Sequence, residues 1–156
     1  MIPQTRAESL LEFFGFGNKK VKQPDTTEKH YGGEISISKK GTNIDSSSRQ
    51  GTIRVTYGNL VKMFGNPKKG KEINHKIGVE WCLDFTIGKR KTFVNIYDWK
   101  QNKAYVKTMN NDDEDETGLD PQDITVWEVG GKSPEAMHIL TAYLRQNGVE
   151  YKKISY

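Results

Sequence analysis

The sequence lacks the features of disulfide-rich, secreted and membrane-spanning proteins. Its single cysteine, Cys82, excludes an internal disulfide framework and suits a reducing compartment. No apolar run approaches the roughly 20 residues that a helix needs to cross a membrane. Glu8 and Glu12 interrupt the apolar part of the N-terminal segment, which argues against a secretory signal. We therefore expect a soluble intracellular protein without a membrane contact.

The chain also lacks a recognisable catalytic or cofactor-binding motif. The glycine-rich segment "VGGKSPE" (129–135) is not a Walker A loop, because Val126 stands where that motif needs its first glycine. A calcium loop starting at Asp113 fails as well, since Ile124 replaces the glutamate that should chelate the ion. The three histidines share no metal-ligand spacing with each other or with Cys82. We expect no metal and no cofactor, and we favour a binding protein over an enzyme.

Two interpretations of "VGGKSPE" stay open. Ser133, Pro134 and Glu135 have the residue types of an N-cap, a first helical position and a first turn. This pattern predicts only the start of a helix. Alternatively, backbone N–H groups beside Lys132 could hold a phosphate.

The distribution of apolar residues predicts two parts. Only five of the 34 residues from 17 to 50 are apolar, too few to offset the entropy of ordering the segment. We interpret residues 1–50 as a flexible N-terminal arm and 51–156 as a compact domain. The arm contains a short apolar helix that could dock on its own domain or on a protein partner. The docking residues are Leu10, Leu11, Phe13 and Phe14.

Hydrophobic periodicity predicts an α+β fold for the domain. After a strand at Ile53 and Val55, apolar residues with helical spacing follow at Tyr57, Leu60, Val61 and Phe64. Thr56 is placed to cap that helix, and Gly65 to end it. The runs "IGVEWCLDFTI" and "TFVNIYDWK" predict an antiparallel hairpin. With a further strand, a helix and a closing strand, the pattern predicts a mostly antiparallel sheet of about five strands packed by two helices.

Charge is concentrated in the first half of the domain. Residues 51–111 carry 12 basic and four acidic side chains, whereas residues 112–123 carry seven acidic ones and no basic one. Lysines outnumber arginines, which favours contact with a phosphate backbone over base-specific recognition. Tyr97, Trp99 and Tyr105 are available for base stacking. The candidate anion-binding residues, besides Lys132, are Lys68, Lys69, Lys71, Lys89, Arg90 and Lys91.

Two alternatives remain for this charge pattern. The lysines could simply keep the loops soluble. The acidic loop 112–123 could also fold back and screen the basic face.

Four short motifs, in order, resemble a group of small uncharacterised proteins of phages and large DNA viruses. The motifs are "NLVKMFGNP", "VEWCLDF", "VNIYDWK" and "VWEVGGKSPEA". The resemblance covers roughly residues 55–145 and implies a viral or phage origin and a shared compact fold. It implies no established activity, so it assigns no catalytic residue. This chain departs from the pattern at the hairpin turn, where "IGKRK" replaces the usual Asp-Gly-Thr.

These observations lead to one main hypothesis and two alternatives. The main hypothesis is a non-enzymatic viral interaction protein that contacts nucleic acid, in the host cytoplasm or nucleus. The first alternative is a virion or assembly component whose arm docks on a neighbouring subunit, as in a homo-oligomer. The second is an inhibitor of a host defence protein.

Overall fold

A computed structural model describes residues 31–38, 47–70, 76–110 and 118–154. These residues confirm the predicted α+β class, with seven strands in one antiparallel sheet and three α-helices. The strands are β1 (Ser36–Ser38), β2 (Ser48–Arg54), β3 (Lys68–Lys69), β4 (Val79–Ile87), β5 (Arg90–Tyr97), β6 (Val126–Gly131) and β7 (Lys152–Ile154). The helices are α1 (Tyr57–Phe64), α2 (Lys103–Asn110) and α3 (Glu135–Gln146), and a 3-10 turn covers Pro121–Asp123. Among the described residues, no helix has the length and apolarity needed to span a bilayer.

The sheet is built around the predicted hairpin. Its strand order is β1-β4-β5-β6-β2-β7, and β3 pairs with β4 beside this path. Gly88 begins the two-residue turn between β4 and β5 with a φ of 57°, which glycine adopts without strain. Because β5 occupies the other edge of β4, β1 and β3 share the remaining edge. β3 lies opposite Val79 and Glu80, and β1 lies opposite residues 84–86.

The hydrophobic core lies between one face of the sheet and the helices α1 and α3. Phe64 of α1 stacks on Tyr143 of α3 and meets Phe85 of β4 edge-on, with ring centroids 5.8 and 6.2 Å apart. Trp81 and Trp127 meet edge-on at 5.3 Å. Both indole N–H groups are satisfied, because they donate to the carbonyl oxygens of residues 65 and 55 at 2.8 and 3.0 Å. Burial of this aromatic cluster fixes α1 and α3 on the same side of the sheet.

Helix α1 begins and ends as its sequence predicts. The Thr56 hydroxyl accepts a hydrogen bond from the backbone N–H of Asn59 at 3.2 Å. At the other end, Gly65 has a φ of 78° and its N–H donates to the carbonyl oxygen of Val61 at 2.7 Å. Local sequence therefore determines both ends of this helix.

The two glycines that end β6 are required by packing on opposite faces of the sheet. A Cβ atom at Gly130 would stand inside 3.0 Å of the Asn95 side-chain oxygen, and one at Gly131 inside 3.0 Å of the Ala136 methyl carbon. Asn95 lies on the neighbouring strand β5, and Ala136 lies in the first turn of α3. The double glycine thus allows β6 to approach both a strand side chain and a helix.

The sheet extends into the segment that the sequence assigned to the arm. Ile35 is buried in the core, β1 pairs with β4, and β2 begins at Ser48 rather than after residue 50. Helix α2 and strand β3 were not predicted, and both lie where the sequence is rich in lysine. The predicted docking residues Leu10, Leu11, Phe13 and Phe14 lie outside the described residues, so the question of self or partner docking stays open.

Candidate nucleic-acid interface

Folding separates the two signs of charge between surface and interior. Of the 16 lysines and arginines in the described ranges, 13 are exposed, whereas only four of the nine aspartates and glutamates are. The four exposed acidic residues are Glu34, Asp120, Asp123 and Glu150. The exposed residues therefore carry a net charge of +9, compared with +7 for all charged residues of the described ranges.

Buried and half-buried carboxylates have structural partners. Asp98 is fully buried, and one of its oxygens accepts hydrogen bonds from the backbone N–H groups of Gly78 and Val79 at 2.9 and 2.8 Å. Glu128 contacts the Nε atom of Arg49 at 2.8 Å and accepts a hydrogen bond from Thr52 at 2.7 Å. These carboxylates are engaged inside the fold, and the exposed lysines keep their charge toward solvent.

The predicted cations fall into two groups at opposite ends of the sheet. Lys68 and Lys69 lie opposite the beginning of β4, whereas Lys89, Arg90 and Lys91 lie at its far end, in and beside the hairpin turn. Glu80, which lies opposite Lys68, and Ile87, which lies opposite Arg90, are about 24 Å apart, from seven residue steps of roughly 3.4 Å each. Lys132 follows β6 at the hairpin end. Lys71 lies outside the described residues.

The tip cluster consists of Lys89, Arg90, Lys91 and Lys132, all exposed. One acidic residue, Glu135, contacts the cluster. Its carboxylate lies 3.9 Å from the Arg90 guanidinium and accepts a hydrogen bond from the Tyr31 hydroxyl. Partial burial, together with this hydrogen bond to Glu135, raises the pKa of Tyr31 above its ordinary value. The contact between Arg90 and Glu135 therefore links the tip cluster to α3, while the lysines of the cluster are exposed to solvent.

The backbone around Lys132 is largely occupied. Gly130 and Gly131 belong to β6 and are paired with β5 on one side and β2 on the other. Helix α3 begins at Glu135 with Pro134, rather than the predicted Ser133, at the N-cap position, and the backbone N–H of Glu135 donates to the Ser133 hydroxyl at 3.3 Å. These contacts favour the helix-start interpretation of "VGGKSPE", and the anion contact of Lys132 stays a prediction.

The second group surrounds an exposed tryptophan. Trp99 is 37% exposed, and the ammonium groups of Lys76 and Lys100 lie 5.7 and 5.6 Å from its ring centroid, within cation–π range. The Tyr97 ring meets the Trp99 ring edge-on at 6.3 Å. The sequence indicated Trp99 as a stacking residue but not its contact with Lys76, because local periodicity does not show contacts between residues so far apart in sequence. We call Lys68, Lys69, Lys76, Trp99, Lys100 and Lys103 the Trp99 patch.

The backbone beneath the Trp99 patch is held by several hydrogen bonds. Lys100 has a φ of 59°, which non-glycine residues rarely adopt, and its N–H donates to the carbonyl oxygen of Lys76 at 2.7 Å. The Gln101 side chain donates to the carbonyl oxygen of Val126 at 2.9 Å. Asn102 caps α2, since its side-chain oxygen accepts from the N–H of Tyr105 at 2.9 Å. These bonds fix the turn that presents Trp99.

A shallow cleft of roughly 240 Å³ adjoins the Trp99 patch. Lys69 and Lys103 contribute to its walls together with Leu119, which is 39% exposed. Trp99 and Leu119 are the exposed large hydrophobic residues of the described ranges. Both therefore lie at the lysine-rich end of the sheet.

Cys82 and the acidic loop 112–123 are the remaining chemically notable features of the sequence. Cys82 is buried and forms no disulfide, and no group of three or more potential metal-binding side chains occurs within the described ranges. Part of the acidic loop 112–123 lies outside these ranges. In the described part, Asp120 forms an ion pair with Lys103 at 3.3 Å. This pair screens one lysine of the Trp99 patch.

Comparison with known proteins found no match among protein-family models, curated proteins or solved structures. The resemblance to phage and viral proteins therefore stays a prediction.

Proposed function

We propose that this is a non-enzymatic binding protein whose basic surface contacts nucleic acid. The observation that carries the proposal is the unequal exposure of the charged residues within the described ranges, where 13 of 16 cations but only four of nine anions are exposed. A surface with this excess of positive charge attracts polyanions and gains free energy when condensed counterions leave the phosphates.

The residue types favour contact with the backbone of the nucleic acid. Ten of the 13 exposed cations are lysines, which interact with phosphate as flexible point charges. Arginines, which bind guanine in a bidentate manner, are the minority. We therefore expect binding with little dependence on base sequence.

The distance between the two groups sets the minimum length of a ligand that contacts both. The tip cluster and the Trp99 patch lie about 24 Å apart along β4, or roughly seven phosphate steps of 3.4 Å along a duplex axis. An oligonucleotide must exceed this length to contact both groups at once. Shorter ligands should reach only one.

Fluorescence anisotropy across a salt series tests the proposal directly. We expect measurable binding at low salt that weakens steeply as salt rises. In the triple variant Lys89→Ala, Arg90→Ala, Lys91→Ala, the slope of log K against log salt should fall by about 2 for a single strand, because each neutralised phosphate accounts for about 0.7 of the slope. Absence of binding by the wild type at low salt would refute the proposal.

A matched control removes the same number and types of charge elsewhere. Arg54, Lys62 and Lys152 are exposed and lie outside both groups. Their replacement by alanine should leave the slope nearly unchanged. An equal loss of affinity in both variants would mean that net charge alone, rather than the tip cluster, governs binding.

A further inference from the structure

We infer that the Trp99 patch is a base-stacking site, so that the preferred ligand is single-stranded nucleic acid. This inference rests on the proposed function and assigns it a substrate class. A base inside a duplex is already stacked on both sides, whereas an unpaired base can place its face on an aromatic side chain.

The first observation is the contrast between Trp99 and the other two tryptophans. Trp81 and Trp127 are buried, and their indole N–H groups donate to backbone carbonyls. Trp99 is 37% exposed and packs mainly against charged side chains and the edge of Tyr97. An indole that only supported the fold would gain more free energy by being buried.

The second observation is that the exposed ring stands on a rigid support. The carboxylate of the preceding Asp98 accepts two backbone N–H bonds from Gly78 and Val79. The following residue, Lys100, is held in a left-handed conformation by a hydrogen bond to Lys76. A preorganised ring loses little freedom when a base stacks on it, which favours binding.

The third observation is the charge around the ring. Within the described ranges, no carboxylate lies at salt-bridge distance from Lys68, Lys69, Lys76 or Lys100. The nearby acidic residues Glu80 and Asp98 are buried. Lysines placed around an aromatic ring can contact the phosphates on either side of a stacked base.

Relative strengths decide whether a base can replace a lysine at the ring. A cation over an exposed ring changes an equilibrium by about two- to fivefold, whereas one base–aromatic stack changes affinity by roughly 5- to 140-fold. A base should therefore displace Lys76 or Lys100 from the ring. The displaced ammonium group remains close enough to pair with a phosphate.

The competing explanation is that Trp99 only joins the segments carrying Lys76 and Lys100. That role would make Trp99 important for stability but not for binding. The two explanations differ in their effect on ligands, because only stacking discriminates between single strands and duplexes.

The experiment compares wild type, Trp99→Ala, Trp99→Phe and Leu119→Ala by anisotropy, with an oligothymidylate of about 12 nucleotides and with a duplex of equal length. Trp99→Ala should weaken single-strand binding by roughly 5- to 140-fold and leave duplex binding nearly unchanged. Trp99→Phe, which keeps a ring, should retain most of the affinity. Leu119→Ala is the matched control, since it removes exposed apolar surface without removing a ring, and should bind like wild type.

Intrinsic fluorescence provides an independent readout. Stacking should quench the emission of the wild type on addition of oligothymidylate, and Trp99→Phe should abolish the quenching because the remaining indoles are buried. If the wild type binds and Trp99→Ala binds as tightly, or loses duplex and single strand equally, the stacking site is refuted while the proposed function stands. If the wild type binds neither ligand, the proposed function itself fails.

Discussion

Replacing Gly131 by alanine tests whether the double glycine at the end of β6 serves packing. The added methyl carbon would stand inside 3.0 Å of the Ala136 Cβ atom and 3.1 Å from the carbonyl oxygen of Phe93. Nonbonded carbons rest at about 3.5–4.0 Å, so the strand and the helix must separate by at least about 0.5 Å. Neither neighbour has a rotamer that could move away, since one is a helix Cβ and the other is backbone.

Overpacking of this kind costs about 1–3 kcal/mol, and we expect the upper half of that range because backbone must move. For a chain of this size, a loss of about 2–3 kcal/mol lowers Tm by roughly 4–12 °C. Urea denaturation followed by tryptophan fluorescence measures the change in the free energy of unfolding. Gly58→Ala is the control: nothing lies within 4 Å of its added Cβ, and alanine should stabilise α1 by about 0.5–1 kcal/mol.

A compensating substitution distinguishes steric strain from other causes. Ala136→Gly removes the clashing methyl group and alone should cost about 1 kcal/mol through helix propensity. Combined with Gly131→Ala, it should recover part of the stability, with a coupling energy of about 1–2 kcal/mol. If Gly131→Ala is as stable as the wild type, packing does not explain this glycine.

Two further predictions concern a helix cap and a tyrosine. Thr56→Ala should reduce the free energy of unfolding by about 1 kcal/mol in chemical denaturation, because the Asn59 N–H loses its acceptor. Thr56→Ser keeps the hydroxyl and should retain most of the stability. If both variants lose the same stability, the cap does not explain the effect. The raised pKa of Tyr31, caused by burial and its bond to Glu135, means that the folded state holds this proton more tightly than the unfolded state. Its stabilising contribution is therefore complete below pH of about 10 and is lost as pH rises above that value. Tyr31→Phe should flatten this alkaline decline in a pH series of denaturation curves, and an unchanged pH profile would contradict the assignment.

Local signals made part of the fold predictable from the sequence. The stripe from Tyr57 to Phe64, with Thr56 before it and Gly65 after it, depends only on neighbouring residues and specifies α1 completely. The hairpin was predictable for the same reason, because its two strands are joined by a two-residue turn. The excess of basic residues was also visible, since it requires only a count of the charged residues along the sequence.

The pairing of short elements with distant strands was not predictable. β1 and β3 are polar and short, and they exist because one edge of β4 needs hydrogen-bonding partners. Composition alone shows neither that β1 pairs with β4 nor that Ile35 enters the core. Nor could periodicity show that Asp98, next to the exposed Trp99, would be buried and would accept hydrogen bonds from the N–H groups of residues 78 and 79. The candidate site was thus visible as a set of residues, but its division between two ends of the sheet required the topology.

The position of β2 has a consequence for the order in which the molecule assembles. Its two neighbours in the sheet are β6 and β7, which come from residues 126–154, whereas β4 and β5 pair across a two-residue turn. Closing the long loop between β2 and β6 reduces the entropy of the chain before the two strands form any stabilising hydrogen bonds. The hairpin can form early, and β2 must wait until the C-terminal strands are available. A chain arrested before β6 would leave the buried side of β2, including Ile53, open to water and to other chains.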